Sequence, residues 1–151
     1  MKYAFFLIPI LLIFSCSMDN KAYPLRIESI QKKDNTYQLM VSTEISLDEI
    51  NNKHQFTHQE FIGEVKNRDF RDKSIIVTGN FDAKNEKKVD NRYFYSVDVM
   101  ISDRDKKFDA TNQLTNQDTI SGFLQLSYDT GRTYPTKSVD IPASEFINTS
   151  K

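Results

Sequence analysis

The segment that most restricts the fold is Arg92–Ser102, where Tyr93, Tyr95, Val97, Val99 and Ile101 occupy every second position. Side chains of a strand alternate between its two faces, so this spacing puts five apolar groups on one face, and a helix of 3.6 residues per turn would scatter them. The same signature recurs along the chain. Leu25 and Ile27 alternate with Arg26 and Glu28, Lys32-Lys33-Asp34-Asn35 supplies a turn, and Tyr37, Leu39 and Val41 alternate with Gln38, Met40 and Ser42. That is the pattern of a hairpin. A further strand is expected over Ser74–Phe81, with Ile75 and Val77 on one face, and a polar connection over Asp82–Asn91. A last pair, Thr119–Tyr128 and Arg132–Ile141, is joined by Asp129-Thr130-Gly131, where glycine suits the left-handed position of a three-residue loop. Pro135 has no amide donor and places the last strand at an edge or a bulge.

One stretch departs from this period. Ser46-Leu47-Asp48-Glu49 and Thr57-His58-Gln59-Glu60 both match the capping box, in which a hydroxyl and a glutamate three residues on satisfy free amides at a helix start. The second is followed by Phe61, Ile62 and Val65 at helical spacing, which predicts a short helix from His58 to Asn67. Gly63 inside it costs about 1 kcal/mol relative to alanine. The expected fold is therefore mainly β: an antiparallel β-sandwich of about six to seven strands with one short helix inserted near 58–67. An α+β sheet with one helix across it is the alternative. A chain of 151 residues suits one domain, placed at 23–147, and 38% hydrophobic with 27% charged residues is an ordinary globular balance. The core must come from seven tyrosines and eleven phenylalanines, since there is no tryptophan. Tyr93, Phe94 and Tyr95 are consecutive and so face both sides of their strand; burial of Phe94 and Met100 on a second face is expected, with an exposed binding patch as the other possibility.

The N-terminal region has a different composition. Tyr3 to Phe14 is almost wholly apolar and follows the single basic residue Lys2. It falls short of the roughly 20 apolar residues that span a bilayer as a helix and reads as a signal peptide, residues 1–15. Ile13-Phe14-Ser15-Cys16 places an aliphatic residue three before a cysteine and a small residue directly before it. This resembles the lipobox of bacterial lipoproteins, although Phe14 is bulkier than the residue usual at that place. The resemblance covers residues 1–16 alone. It implies cleavage before Cys16, a lipid anchor on that cysteine, and a tether over 16–22. Cys16 is the only cysteine, so no internal disulfide can form. Two or three acyl chains make attachment effectively permanent, at about 0.8 kcal/mol per buried methylene. Ser17 is the outer-membrane choice under the sorting rule such lipoproteins follow in enterobacteria, which implies the cell envelope, at the periplasmic face of the outer membrane.

No arrangement of residues announces a reaction. The formal charge of −1 is no footprint for nucleic acid. There is no glycine-flanked serine elbow and no phosphate-cradling glycine loop. His54 and His58, the only histidines, are candidate ligands for zinc or copper, but the cap at Thr57 falls between them, and exposed loop histidines are the simpler reading. Asp103, Asp105 and Asp109, with Phe108, mark a candidate binding loop within Asp103–Asp118. Arg104, Lys106 and Lys107 offset its charge, which speaks against calcium. Lys84, Lys87 and Lys88 read as a solvated connection that could meet anionic headgroups. The expectation is a membrane-anchored, non-enzymatic protein-binding or assembly module that needs no cofactor. Its partners would be the membrane, through Cys16, and an envelope protein. A ligand-binding or inhibitory sandwich is the second reading, and a histidine-based metal protein the third.

Overall fold

A computed structural model of the chain describes residues 22–66, 75–103 and 109–149. The expected signal peptide, Cys16 and most of the expected tether lie outside these residues, as do Asp105 and Phe108. The described chain is mainly β and antiparallel, as the alternation requires. Its strands are β1 (Leu25–Lys33), β2 (Thr36–Thr43), β3 (His58–Val65), β4 (Ile76–Asn80), β5 (Lys87–Val89), β6 (Arg92–Ser102), β7 (Thr119–Ser127), β8 (Thr133–Pro135) and β9 (Val139–Pro142). Two short helices accompany them, α1 (Leu47–His54) and α2 (Ser144–Asn148).

All nine strands belong to one sheet in the order β1-β2-β6-β4-β3-β7-β8, with β9 also on the free edge of β7 and β5 on β6. The two layers expected of a sandwich are thus a single sheet curled into a nearly closed barrel. Its inner face is built from the alternating residues. Tyr95, Val97, Val99 and Ile101 of β6 are buried with Tyr37, Leu39 and Val41 of β2, Val77 of β4 and Leu124 and Leu126 of β7. β6 supplies the largest share of this face, because its period of two is unbroken over eleven residues.

The helix expected from His58 to Asn67 is not there. Residues 58–65 are β3, hydrogen-bonded to β4 on one side and β7 on the other. Phe61 and Val65 satisfy both a helical and a strand spacing, and the neighbours decide between them. As a strand, the segment turns Phe61, Gly63 and Val65 inward. Gly63 stands opposite Gly122, and the Phe61 ring covers Gly122 so closely that an added Cβ would lie 2.3 Å from it. The Thr57 hydroxyl, expected to cap a helix, is instead directed to the carbonyl of Ser127 and to Asp129. The helix starts at the other capping box: the Ser46 hydroxyl accepts the Glu49 amide at 2.9 Å and α1 follows.

Both ends of the barrel are covered. At one end Leu47 of α1 packs with Phe81, Ala83 and Tyr95 in the core, beside Phe56. At the other, Phe146 of α2 meets the Tyr37 ring edge-on at 5.2 Å, and the Tyr37 hydroxyl bonds Thr111 of the 3-10 turn Ala110–Gln113 at 3.0 Å. The expected second buried face around Phe94 and Met100 is not formed: Met100 is 40% exposed and Phe94 half-buried, because one curled sheet has a solvent side where a three-layer fold would have a partner.

Candidate functional site

The sequence candidates are dispersed by this fold. His54 ends α1 and His58 begins β3, with Gln55 in the left-handed conformation between them. The His54 ring packs on Phe56 at 5.7 Å, whereas His58 Nε2 lies 2.5 Å from Asp129 in the β7–β8 loop. The Tyr128 hydroxyl donates to the carbonyl of His54, so this loop is tied to both histidine-bearing segments. Among the described residues no group of three or more His, Cys, Asp or Glu converges as a metal site would require. Asp103 is buried and accepts from Gln113 at 3.3 Å. Asp109 is exposed, left-handed, and caps the 3-10 turn through the Thr111 amide. The two described carboxylates of that loop thus have separate local partners, and Asp118 closes the following turn on the amide and hydroxyl of Thr115.

One polar cluster was not foreseen. Glu86 accepts from the Ser46 hydroxyl at 2.8 Å and from the Tyr95 hydroxyl at 2.7 Å, and Tyr95 in turn accepts the Leu47 amide at 2.8 Å. Burial, with the Glu86 carboxylate beside it, pushes the Tyr95 phenol well above its ordinary value of 10.0. A phenol held protonated, with donor and acceptor both engaged, anchors the start of α1 to the core; it is a structural device.

An uncovered strand edge lies, among the described residues, at the seam of the barrel. Among the described residues β1 pairs only with β2 and β9 only with β7, although β9 lies beside β1. The seam is pinned at one end, where the Lys137 amide donates to the Tyr23 carbonyl at 2.8 Å and the rings of Tyr23 and Tyr134 stack at 6.5 Å. Beyond that pin the strands part around a cleft of about 510 Å³, walled by Leu25–Ile30 on one side and Val139–Pro142 on the other, with Glu145 of α2 at its margin. Volumes from about 300 Å³ upward are typical of binding clefts. Half-buried Ile27, Ile30 and Val139 supply apolar wall.

Polar groups shape its rim. The β1–β2 register slips between Ile27 and Ser29, leaving Glu28 as a bulge. The bulge aims the Glu28 carboxylate at the buried Ser42 hydroxyl, over which Arg92 lies with Nε 2.9 Å from the same oxygen. Across the cleft the Lys66 ammonium sits 2.7 Å from Asp140 and holds its carboxyl below the usual carboxylate range. Sequence reading missed this site, since nothing local marks a strand edge as unpaired. Its one trace is the three-residue step from Ile27 to Ile30, which interrupts the period of two where the bulge lies. Comparison with family models, with curated proteins and with solved structures finds no match for this chain.

Proposed function

We propose that this chain is a membrane-anchored lipoprotein of the cell envelope that acts, without catalysis, as a protein-binding or assembly module. Its anchor is lipid on Cys16, and its partner face is the open edge of β1. The observation that carries the reading is that edge, walled by a cleft and, among the described residues, without a strand partner over Leu25–Ile30 on the side away from β2. A strand edge offers a row of backbone donors and acceptors, which natural proteins either blunt or use for recognition. The short tether holds such an edge near the membrane, where an envelope partner would meet it. The lipobox-like Ile13-Phe14-Ser15-Cys16 supports the anchor.

Two measurements test the two halves. The intact mass of the protein from its own membranes should match residues 16–151 plus acyl groups, and a Cys16→Ser variant should lose that mass; a soluble, unacylated protein would defeat the anchor. A photo-crosslinking amino acid at Ser29, on the seam, should trap one discrete partner in living cells, whereas the same group at Thr78, on the outer face of β4, should not. Equal trapping at both positions would defeat the assignment of the face.

A further inference from the structure

Resting on the reading of the β1 edge as the partner face, we infer that the seam takes a single extended peptide segment, antiparallel to both β1 and β9, as an eighth strand that closes the barrel. Along the path β1-β2-β6-β4-β3-β7-β9 every pairing is antiparallel. Seven strands alternating in direction bring the first and last round to point the same way. The two ends of the seam agree with this. Tyr23, which precedes β1, meets Lys137, which precedes β9, and Lys32 near the end of β1 shares a cleft with Ile147, which follows β9.

Direct closure would therefore require a parallel junction in an otherwise antiparallel sheet, with slanted and slightly weaker hydrogen bonds. Between Leu25 and Ile30 no such junction forms. One added strand of the opposite direction meets both edges with antiparallel geometry and satisfies two rows of backbone groups at once. The closest Cα atoms of β1 and β9 come within 8 Å. A strand seated between two others needs about 9.6 Å, so entry spreads the seam by at least about 1.6 Å at its narrowest.

The same edges set the length and chemistry of the occupant. β9 has four residues and ends at Pro142, which has no amide to donate, and the Glu28 bulge interrupts β1. The paired run is therefore short, on the order of four to six residues. Its inward side chains meet Ile27 and Val139 and should be apolar and β-branched. Its outward side chains meet a polar rim on which Lys66 already holds Asp140 and Arg92 lies near Glu28, leaving Glu145 and Arg26, so polar residues such as threonine or lysine suit it.

The chain itself allows a test with no partner in hand. The described residues end at Thr149, just after α2, whose Ile147 shares a cleft with Lys32 beyond the Ile30 end of the seam, so a strand appended to the chain through a short flexible linker can enter antiparallel to β1 and at high effective concentration. Two versions of the full chain in detergent would be compared by hydrogen exchange. One carries a C-terminal Gly-Ser linker and an alternating Thr-Val strand with one outward lysine, and the other has prolines in place of alternate residues of that strand. We expect at least tenfold slower exchange within both Leu25–Ile30 and Val139–Ile141 for the first version alone. Equal exchange in the two versions, or protection of only one edge, would overturn the eighth-strand inference. So would concentration-dependent protection of these amides in the unextended chain, which would assign the seam to a second copy. If the Ser29 crosslink succeeds while the appended strand gives no protection, the partner face stands and the strand inference falls; the converse result leaves the seam chemistry and removes the protein-binding role.

Discussion

Phe61 and the glycines beneath it show how single residues decide this fold. A Cβ at Gly122 would lie 2.3 Å from the tip of the Phe61 ring, and one at Gly79 would lie 2.2 Å from the backbone oxygen of Asp98. A ring can swing aside, whereas a paired backbone must shift its whole strand. Gly122→Ala should therefore destabilise by about 1–3 kcal/mol, the usual cost of overpacking, and Gly79→Ala by more. Urea titrations of both variants check this, and equal midpoints would contradict it. Neither effect is legible in the sequence. There Gly63 is only a poor helix former, and its true surroundings, Ile120 and Phe61, arrive through the β3–β7 pairing. Tyr95 carries a second prediction at this scale. Its proton is held more tightly in the folded chain than in the unfolded one, so its contribution is whole below about pH 10 and is lost as pH rises beyond that. Tyr95→Phe leaves the Leu47 amide and Glu86 each short of a partner, which should cost about 1–3 kcal/mol at neutral pH. The same variant should flatten the fall in stability above pH 10, and an unchanged alkaline slope would show that another group governs it.

At the scale of elements, the strands with an unbroken period of two were readable almost to their ends. The expected Arg92–Ser102 coincides with β6, and the expected edge position of Pro135 is found in β8, which among the described residues pairs only with β7. Gly131 has the left-handed backbone, at φ 86°, that its hairpin loop demanded. What could not be read is which of two equivalent capping boxes nucleates a helix, because that choice is made by distant residues. Ser46 has Glu86 and Tyr95 beside it, while Thr57 has the end of β7. The last expected strand divides for a similar reason. The Thr136 hydroxyl takes the Leu124 amide at 3.0 Å, replacing a ladder bond and separating β8 from β9. Removing the cap in Ser46→Ala should cost about 1 kcal/mol and speed amide exchange within α1 while leaving β6 unaffected. If α1 keeps its protection in that variant, Glu86 alone holds the helix start.

For the molecule as a whole, strand number was approximately legible, but closure was not. A sandwich and a curled single sheet share the same alternation, and they differ only in which edges meet. That difference also decides where the molecule is weakest. β2 bonds to β1 and β6 along almost its whole length, and β6 has β2 on one side with β5 and β4 along the other, whereas among the described residues β1 and β9 each bond on one side. Opening free energy follows buried contact and two-sided bonding, so native-state exchange should rank the strands. The amides of β1 already bonded to β2, and those of β9 bonded to β7, should exchange faster than those linking β2 to β6 and β3 to β7. They should open together, because the Tyr23–Lys137 pin and the packing of α2 join the two edges. Replacing Tyr23 with alanine removes the stack on Tyr134 and should speed exchange in β1 and β9 alike, without altering β6. Protection of β1 as strong as that of β6 would mean that the seam is sealed in solution, and a sealed seam has no edge to offer a partner.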